Sequence, residues 1–122
     1  MELLRKVVAV VDDDPGILRA MRELLWALDY DTELYVSAET FISFATDSKA
    51  ICLLVDIELG GMSGIELRRR LAAAGCGTPV IFMTGSVCEA LHEQALAAGC
   101  VALLRKPFPA PLLVDAIDKA LG

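Results

Sequence analysis

Short apolar runs that alternate with segments of helical periodicity constrain the fold of this chain most strongly. Four runs contain only apolar residues, at residues 7–11, 51–55, 80–83 and 101–104. A more polar candidate strand lies near residues 32–36. Strands without polar alternation are usually buried on both faces, so the pattern predicts a parallel sheet covered by helices.

The order of these segments predicts a (βα)₅ domain of the α/β class. Right-handed crossovers between parallel strands leave few topologies. We expect a doubly wound, flavodoxin-like five-stranded parallel sheet in the order 2-1-3-4-5, with polar strand 2 at an edge. Helix 2 is expected at residues 38–45, where it would bury Phe41 and Phe44. One such domain accounts for residues 1–122.

Local signals predict where three helices begin. Asp14 is expected to cap helix 1, with Pro15 in the first turn of that helix. Ser63 and Ser86 each stand three residues before a Glu, which is the capping-box pattern. They are expected to cap helices 3 and 4.

Polar residues follow four of the predicted strands at their carboxyl ends. They are Asp12, Asp13, Asp56, Thr84 and Lys106. A parallel α/β sheet binds ligands beyond the carboxyl ends of its strands, so these residues together predict one site. Taken singly, each has a structural alternative: an Asp that caps a helix or forms a turn, a Thr that ends its strand, or a surface Lys.

The three carboxylates fit a site for a divalent cation. Crowded carboxylates repel one another, and an all-oxygen ligand set selects Mg²⁺ or Mn²⁺ over zinc. Asp13 and Asp56 are expected to bind the cation directly, and Asp12 through water. Asp56 is also the candidate nucleophile, because a carboxylate can form an acyl phosphate.

Residues after strands 4 and 5 complete the predicted site. Thr84 offers a hydroxyl to a phosphoryl oxygen, and the small Gly85 leaves room for the group to enter. Lys106 supplies a positive charge suited to phosphate. Pro107 places that lysine in a constrained turn, for which a cis peptide bond is one option.

Composition argues against several partners and locations. The net charge of −6 disfavours binding of nucleic acid or an anionic membrane by this segment. No apolar run approaches the length of a membrane span, and no signal-type cleavage segment follows residues 7–11. The four cysteines are widely spaced, unlike zinc ligands. We expect reduced thiols and a cytoplasmic location.

Four segments together resemble the receiver domain of bacterial response regulators. They are VVDDD at residues 10–14, LVDIELGGMSGIEL at 54–67, VIFMTG at 80–85 and LRKPF at 104–108. The resemblance covers residues 7–121 and implies a CheY-like fold. The motifs are closest in style to the FixJ-like branch, whose receivers often precede a helix-turn-helix DNA-binding domain.

The resemblance implies a signalling module of a two-component system that is not a metabolic enzyme. Asp56 would accept a phosphoryl group from the phosphohistidine of a sensor histidine kinase or a phosphotransfer protein. The surface of helix 4, strand 5 and helix 5 would then change its partner. That partner would be a fused or separate output domain, or a second copy of the chain.

The resemblance also assigns roles to single residues. The Mg²⁺ ligands would be Asp12, Asp13, Asp56 and the backbone carbonyl of Glu58. Thr84 would move to the phosphoryl group, and Lys106 would pair with it.

Three departures from the family pattern affect these roles. Leu103 stands where the family often has an aromatic residue that moves with the Thr, so we expect a smaller or differently routed change. Residues 59–61, Leu-Gly-Gly, replace the usual Met-Pro-Gly and predict a looser loop. Glu58 and Ser86 occupy positions that tune dephosphorylation, and the direction of the Glu58 effect is open.

Two other functions are compatible with parts of the pattern. Asp12 and Asp14 fit the first motif of Mg²⁺-dependent phosphatases of the haloacid-dehalogenase type, but that function leaves Asp56 without a role. A docking domain that keeps the fold without phosphorylation is favoured by Leu103. The cluster of mutually repelling carboxylates argues against it.

Overall fold

The computed structural model describes residues 4–122 and contains one five-stranded parallel sheet. The strands are β1 (Lys6–Val11), β2 (Tyr30–Tyr35), β3 (Ala50–Asp56), β4 (Val80–Thr84) and β5 (Ala102–Arg105). Their order across the sheet is β2-β1-β3-β4-β5, and all neighbouring pairs are parallel. The predicted topology and the edge position of strand 2 are confirmed.

Five helices cover the two faces of the sheet. They are α1 (Pro15–Ala27), α2 (Ala38–Phe44), α3 (Gly64–Ala73), α4 (Glu89–Ala98) and α5 (Ala110–Leu121), with a 3-10 turn at Ala45–Asp47. Helices α2, α3 and α4 pack on one face and α1 and α5 on the other. Within residues 4–122, none of these helices is both long and apolar enough to cross a membrane.

Alternate residues of the central strands pack into two separate hydrophobic cores, one on each face of the sheet. In β3, Leu53 and Val55 pack toward α2, α3 and α4, whereas Cys52 and Leu54 pack toward α1 and α5. All four are buried, as the unbroken apolar run predicts. Each fully buried aliphatic side chain stabilises the fold by about 1.5–3 kcal/mol, so these strands contribute strongly to the stability of the sheet.

Two of the predicted helix caps are confirmed and one is wrong. Asp14 accepts a hydrogen bond from Gly16 N at 2.8 Å, and Ser63 Oγ accepts one from Glu66 N at 3.1 Å. Ser86 does not cap α4, because its hydroxyl accepts from Cys88 N at 3.0 Å. The hydroxyl closes a tight turn, and the helix starts later, at Glu89.

The chain around α2 and β2 differs from the predicted pattern in two respects. Strand β2 begins at Tyr30, two residues before the predicted start, because Tyr30 already pairs with Lys6 of β1. Phe41 is buried as expected, but Phe44 is 54% exposed. Phe44 is the last residue of α2, and the 3-10 segment begins directly after it.

Candidate phosphoryl-transfer site

The predicted polar residues meet at one edge of the sheet. Asp12 directly follows β1, Asp56 ends β3, Thr84 ends β4 and Lys106 directly follows β5. Because β1 and β3 are neighbours, Asp12 and Asp56 lie side by side at the switch point of the sheet. Asp12, Asp56 and Thr84 are buried polar residues in an otherwise apolar interior.

Three carboxylates are close enough to share one cation. Asp12, Asp13 and Asp56 each offer an oxygen, and these oxygens lie within 4.8 Å of one another. Asp12 and Asp56 are buried, whereas Asp13 is exposed at the mouth of the site. A set of carboxylate oxygens with one open side suits a hard cation that keeps part of its water shell, so the donor set fits Mg²⁺.

Lys106 bridges the two buried carboxylates. Its Nζ donates to Asp12 Oδ2 at 2.7 Å and to Asp56 Oδ2 at 3.0 Å. Burial alone would lower the pKa of Lys106, but the hydrogen bonds to Asp12 and Asp56 raise it above its ordinary value. The ammonium therefore stays charged and partly neutralises the acidic cluster.

Asp56 is held in place by its own loop and by a close helix. Its Oδ1 accepts from Glu58 N at 2.9 Å. Burial raises the pKa of the Asp56 carboxyl, although the Glu58 N–H and Lys106 act in the opposite direction. A Cβ at Gly64 would clash with the Asp56 carbonyl oxygen, so only glycine lets α3 start so close to β3. The start of α3 at Gly64 therefore packs directly against the backbone of Asp56.

Thr84 is engaged with the Glu58 side chain. Thr84 Oγ1 accepts from Ser86 N at 3.0 Å and donates to Glu58 Oε1 at 3.3 Å. The Thr84 side chain is buried and Glu58 is exposed. The sequence pointed to the Glu58 backbone and to its charge, but it gave no sign that its carboxylate holds the Thr84 hydroxyl across 26 residues.

The remaining residues predicted for the site are Gly85, Pro107 and Leu103. A Cβ at Gly85 would meet no atom within 4 Å, so there is open space beside Thr84. The Lys106–Pro107 peptide bond is cis, the option raised by the sequence. Leu103 pairs with Phe82 in the sheet and packs against the core under α2, α3 and α4.

Two carboxylates fix the loop that follows Asp56. Asp13 Oδ2 accepts from Gly60 N at 3.2 Å, and Glu39 Oε2 of α2 accepts from Met62 N at 3.1 Å. The role of Glu39 could not be predicted from the sequence, because nothing in the local pattern links residue 39 to residue 62. The loop has more anchors than its Gly-Gly sequence suggests.

Comparison with known proteins identifies relatives along nearly the whole chain. A family model described as the response regulator receiver domain matches residues 8–118. The response regulator protein TodT of Pseudomonas putida is 32% identical over 115 residues, which are 94% of this chain and 51% of TodT. The transcriptional regulatory protein FixJ of Rhizobium meliloti is 31% identical over 113 residues, which are 93% of this chain and 55% of FixJ.

A solved structure supports the same comparison. The crystal structure of a response regulator receiver protein from Burkholderia phymatum matches with a TM-score of 0.84 and 37% sequence identity. The match covers 97% of this chain and 96% of that one. The curated relatives are longer, and this chain spans about half of their length.

Proposed function

This chain belongs to the response regulator receiver domain family, and from that premise we propose that Asp56 is its phosphoacceptor. The donor would be a phosphohistidine of a sensor kinase or of a phosphotransfer protein. The observation that carries the proposal is the position of Asp56, which ends β3 inside a cluster of two other carboxylates with Lys106 beside it.

The phosphoryl transfer needs only the phosphohistidine donor and the Asp56 carboxylate as reactants. A carboxylate oxygen of Asp56 attacks the phosphorus, a P–O bond forms, and the P–N bond to the donor breaks with its electron pair left on nitrogen; the donor leaves as neutral imidazole because its other ring nitrogen carries a proton. Lys106 is placed to pair with the added negative charge, because its Nζ already lies 3.0 Å from Asp56 Oδ2. The product is an acyl phosphate on this chain.

We propose that Mg²⁺ is the cation of this site, with Mn²⁺ as a substitute. Asp13, Asp56 and the Glu58 backbone carbonyl would hold it directly. Asp12 would act through water, with Lys106 Nζ and Asp14 N donating to its two carboxylate oxygens. When bound, the cation would offset charge on the transferring oxygens.

Thr84 is the proposed switch residue. Its hydroxyl would leave the Glu58 carboxylate and donate to a phosphoryl oxygen, and open space at Gly85 leaves room for that group. Loss of the Thr84 contacts would release the segment before α4 and bias the surface formed by α4, β5 and α5. Leu103 of β5 has no aromatic ring, so we propose a smaller or differently routed conformational change.

We propose that residues 1–122 act as one receiver domain that controls an output. The curated relatives are about twice as long, and one is a transcriptional regulatory protein. A helix-turn-helix DNA-binding output, fused or separate, and a phosphorylation-dependent homodimer are the proposed partners. The domain would act in the cytoplasm, where its free thiols stay reduced.

We propose that the domain is a signalling module without metabolic turnover. The family and relatives above are response regulators, and none supports a haloacid-dehalogenase-type phosphatase or a phosphorylation-independent docking domain. The only chemistry assigned to it is phosphorylation and dephosphorylation of its own Asp56.

Intact-mass spectrometry after incubation with acetyl phosphate and Mg²⁺ tests the proposal. One added phosphoryl group is expected in the wild type, and none in Asp56→Asn or in a metal-free sample. Beryllofluoride binding, followed by amide chemical shifts, supplements this test because acyl phosphates can hydrolyse quickly. An adduct that persists in Asp56→Asn, or failure of both reagents to bind, would overturn the assignment.

A further inference from the structure

The loop between β3 and α3, residues 57–63, is tethered to α2 by a side chain outside the predicted site. Glu39 Oε2 accepts a hydrogen bond from Met62 N at 3.1 Å across 23 residues of sequence. On the other side, Asp13 Oδ2 accepts from Gly60 N at 3.2 Å. The two contacts hold the loop between the acidic cluster and the first turn of α2.

Gly61 lies between these two anchors and shows how closely the loop passes Glu39. Its φ is +77°, a left-handed conformation that favours glycine. A Cβ at Gly61 would lie 2.6 Å from Glu39 Oε2. The backbone therefore runs directly against the carboxylate, and a Gly-Gly segment that is flexible in isolation gains a fixed position.

The core beneath α2 supports the same contact. Ala38 and Phe41 of α2 are buried in a cluster against which Leu59 and Met62 of the loop pack. Hydrogen bonds from its own backbone N–H and from Met62 N–H lower the pKa of the Glu39 carboxyl. Glu39 is thus an ionised acceptor on a helix that shares its packing with the loop.

Only one of the two anchors is independent of the acidic cluster. Asp13 belongs to that cluster, so a cation bound there competes with Gly60 N–H for the Asp13 carboxylate. Glu39 does not belong to it. We propose that Glu39 is a positioning residue, which keeps the loop and the Glu58 carbonyl within reach of the cation when Asp13 turns to it. This inference rests on the proposed function.

The test compares Glu39→Ala and Glu39→Gln with Glu23→Ala, which removes an exposed glutamate in the middle of α1. Two quantities are measured by NMR: hydrogen exchange of the Met62 amide without metal, and the Mg²⁺ dissociation constant from amide chemical shifts. For Glu39→Ala we expect Met62 exchange about tenfold faster and Mg²⁺ binding weaker by a similar factor. The glutamine variant, which keeps an acceptor oxygen, should lie between, and Glu23→Ala should match the wild type.

The outcomes separate this inference from the proposed function. If the wild type binds Mg²⁺ and Glu39→Ala binds it within about twofold of the same constant, the positioning role is wrong. It is also wrong if exchange of the α2 amides rises as much as that of Met62, because the residue then only stabilises its helix. If the wild type binds no Mg²⁺, the proposed function fails as well.

Discussion

At the residue scale, Lys106 places a positive charge between two neighbouring buried carboxylates, Asp12 and Asp56. Removing one partner of such a group leaves charge without compensation. We expect Lys106→Met to lower the free energy of unfolding by about 3 kcal/mol in the absence of divalent cations. Urea unfolding followed by circular dichroism measures this difference.

Lys119→Met is the matched control, because Lys119 is exposed near the end of α5. It should change stability by less than about 0.5 kcal/mol. Adding Mg²⁺ should restore part of the loss in Lys106→Met, since a cation beside Asp12 and Asp56 replaces the missing positive charge. Equal losses in the two variants would show that the Lys106 bridge is unimportant.

The Thr84 hydroxyl must break its hydrogen bond to Glu58 before it can donate to a phosphoryl oxygen. In Glu58→Ala the hydrogen bond to Glu58 Oε1 is gone, and so is a carboxylate that would repel a phosphoryl group. We expect beryllofluoride to bind this variant about fivefold more tightly than it binds the wild type. Titration followed by amide chemical shifts gives the two dissociation constants, and the acyl-phosphate lifetimes are compared alongside.

A double-mutant cycle separates the two causes of that gain. In a Thr84→Ala background, Glu58→Ala can relieve only charge repulsion, so the improvement in beryllofluoride affinity should be smaller. The same improvement in both backgrounds would mean that the Thr84 hydroxyl takes no part. A loss of affinity in Glu58→Ala would reverse the expected direction.

At the scale of elements, Glu33 joins edge strand β2 to the segment that leads into β3. Its carboxylate accepts from Ser48 Oγ at 2.7 Å, Tyr35 Oη at 2.9 Å and Lys49 N at 3.0 Å. Burial acts to raise the pKa of Glu33, but the hydrogen bonds from Ser48, Lys49 and Tyr35 lower it below 4.5. The ionised form is therefore the one that stabilises the fold.

Because the pKa of Glu33 is lowered, the difference in stability between the wild type and a Glu33→Gln variant should depend on pH. We expect Glu33→Gln to lower the free energy of unfolding by about 1–2 kcal/mol at neutral pH. Because the folded-state pKa of Glu33 is depressed, the extra stability of the wild type is present above pH 4.5. It disappears as the pH falls through the folded-state pKa. Urea unfolding over a pH series measures it, with Glu93→Gln on exposed α4 surface as the control. A difference that grows on acidification would contradict the assignment.

Element starts were predictable where the signal was local and complete. Asp14 and Ser63 cap α1 and α3 as their patterns indicate, because each acceptor serves an N–H two or three residues away. Ser86 has the same capping-box pattern, yet its hydroxyl closes a turn before α4. The start of β2 at Tyr30 depends on pairing with β1, which is not visible in a local window.

The site was predictable in its chain positions but only partly in its contacts. The strand order brings Asp12, Asp56 and Lys106 together, although Lys106 and Asp12 are 94 residues apart. The contact of Glu39 with Met62 depends on how α2 lies over the loop, which no pattern in either segment specifies. Sequence periodicity together with the crossover rule predicts which strand ends meet, whereas side-chain partners depend on packing.

At the scale of the whole molecule, we expect the acidic cluster to couple folding to cation binding. Asp12, Asp13 and Asp56 come together only in the folded chain, so Mg²⁺ should bind that state and stabilise it. We expect the free energy of unfolding to rise by about 2.7 kcal/mol at a Mg²⁺ concentration one hundred times the dissociation constant. Urea unfolding across a Mg²⁺ series measures the increment.

Two adjacent aspartates provide a matched pair of variants for this coupling. Asp13→Asn removes one exposed carboxylate of the cluster and should remove most of the Mg²⁺-dependent increment, while the metal-free protein stays at least as stable because repulsion is relieved. Asp14→Asn makes the same change in charge one residue later, and asparagine also caps helices well. Asp14 caps α1 and lies outside the cluster, so this variant should keep the full increment. Loss of the increment in both variants would mean that general electrostatic attraction, and not the three-carboxylate site, binds the cation.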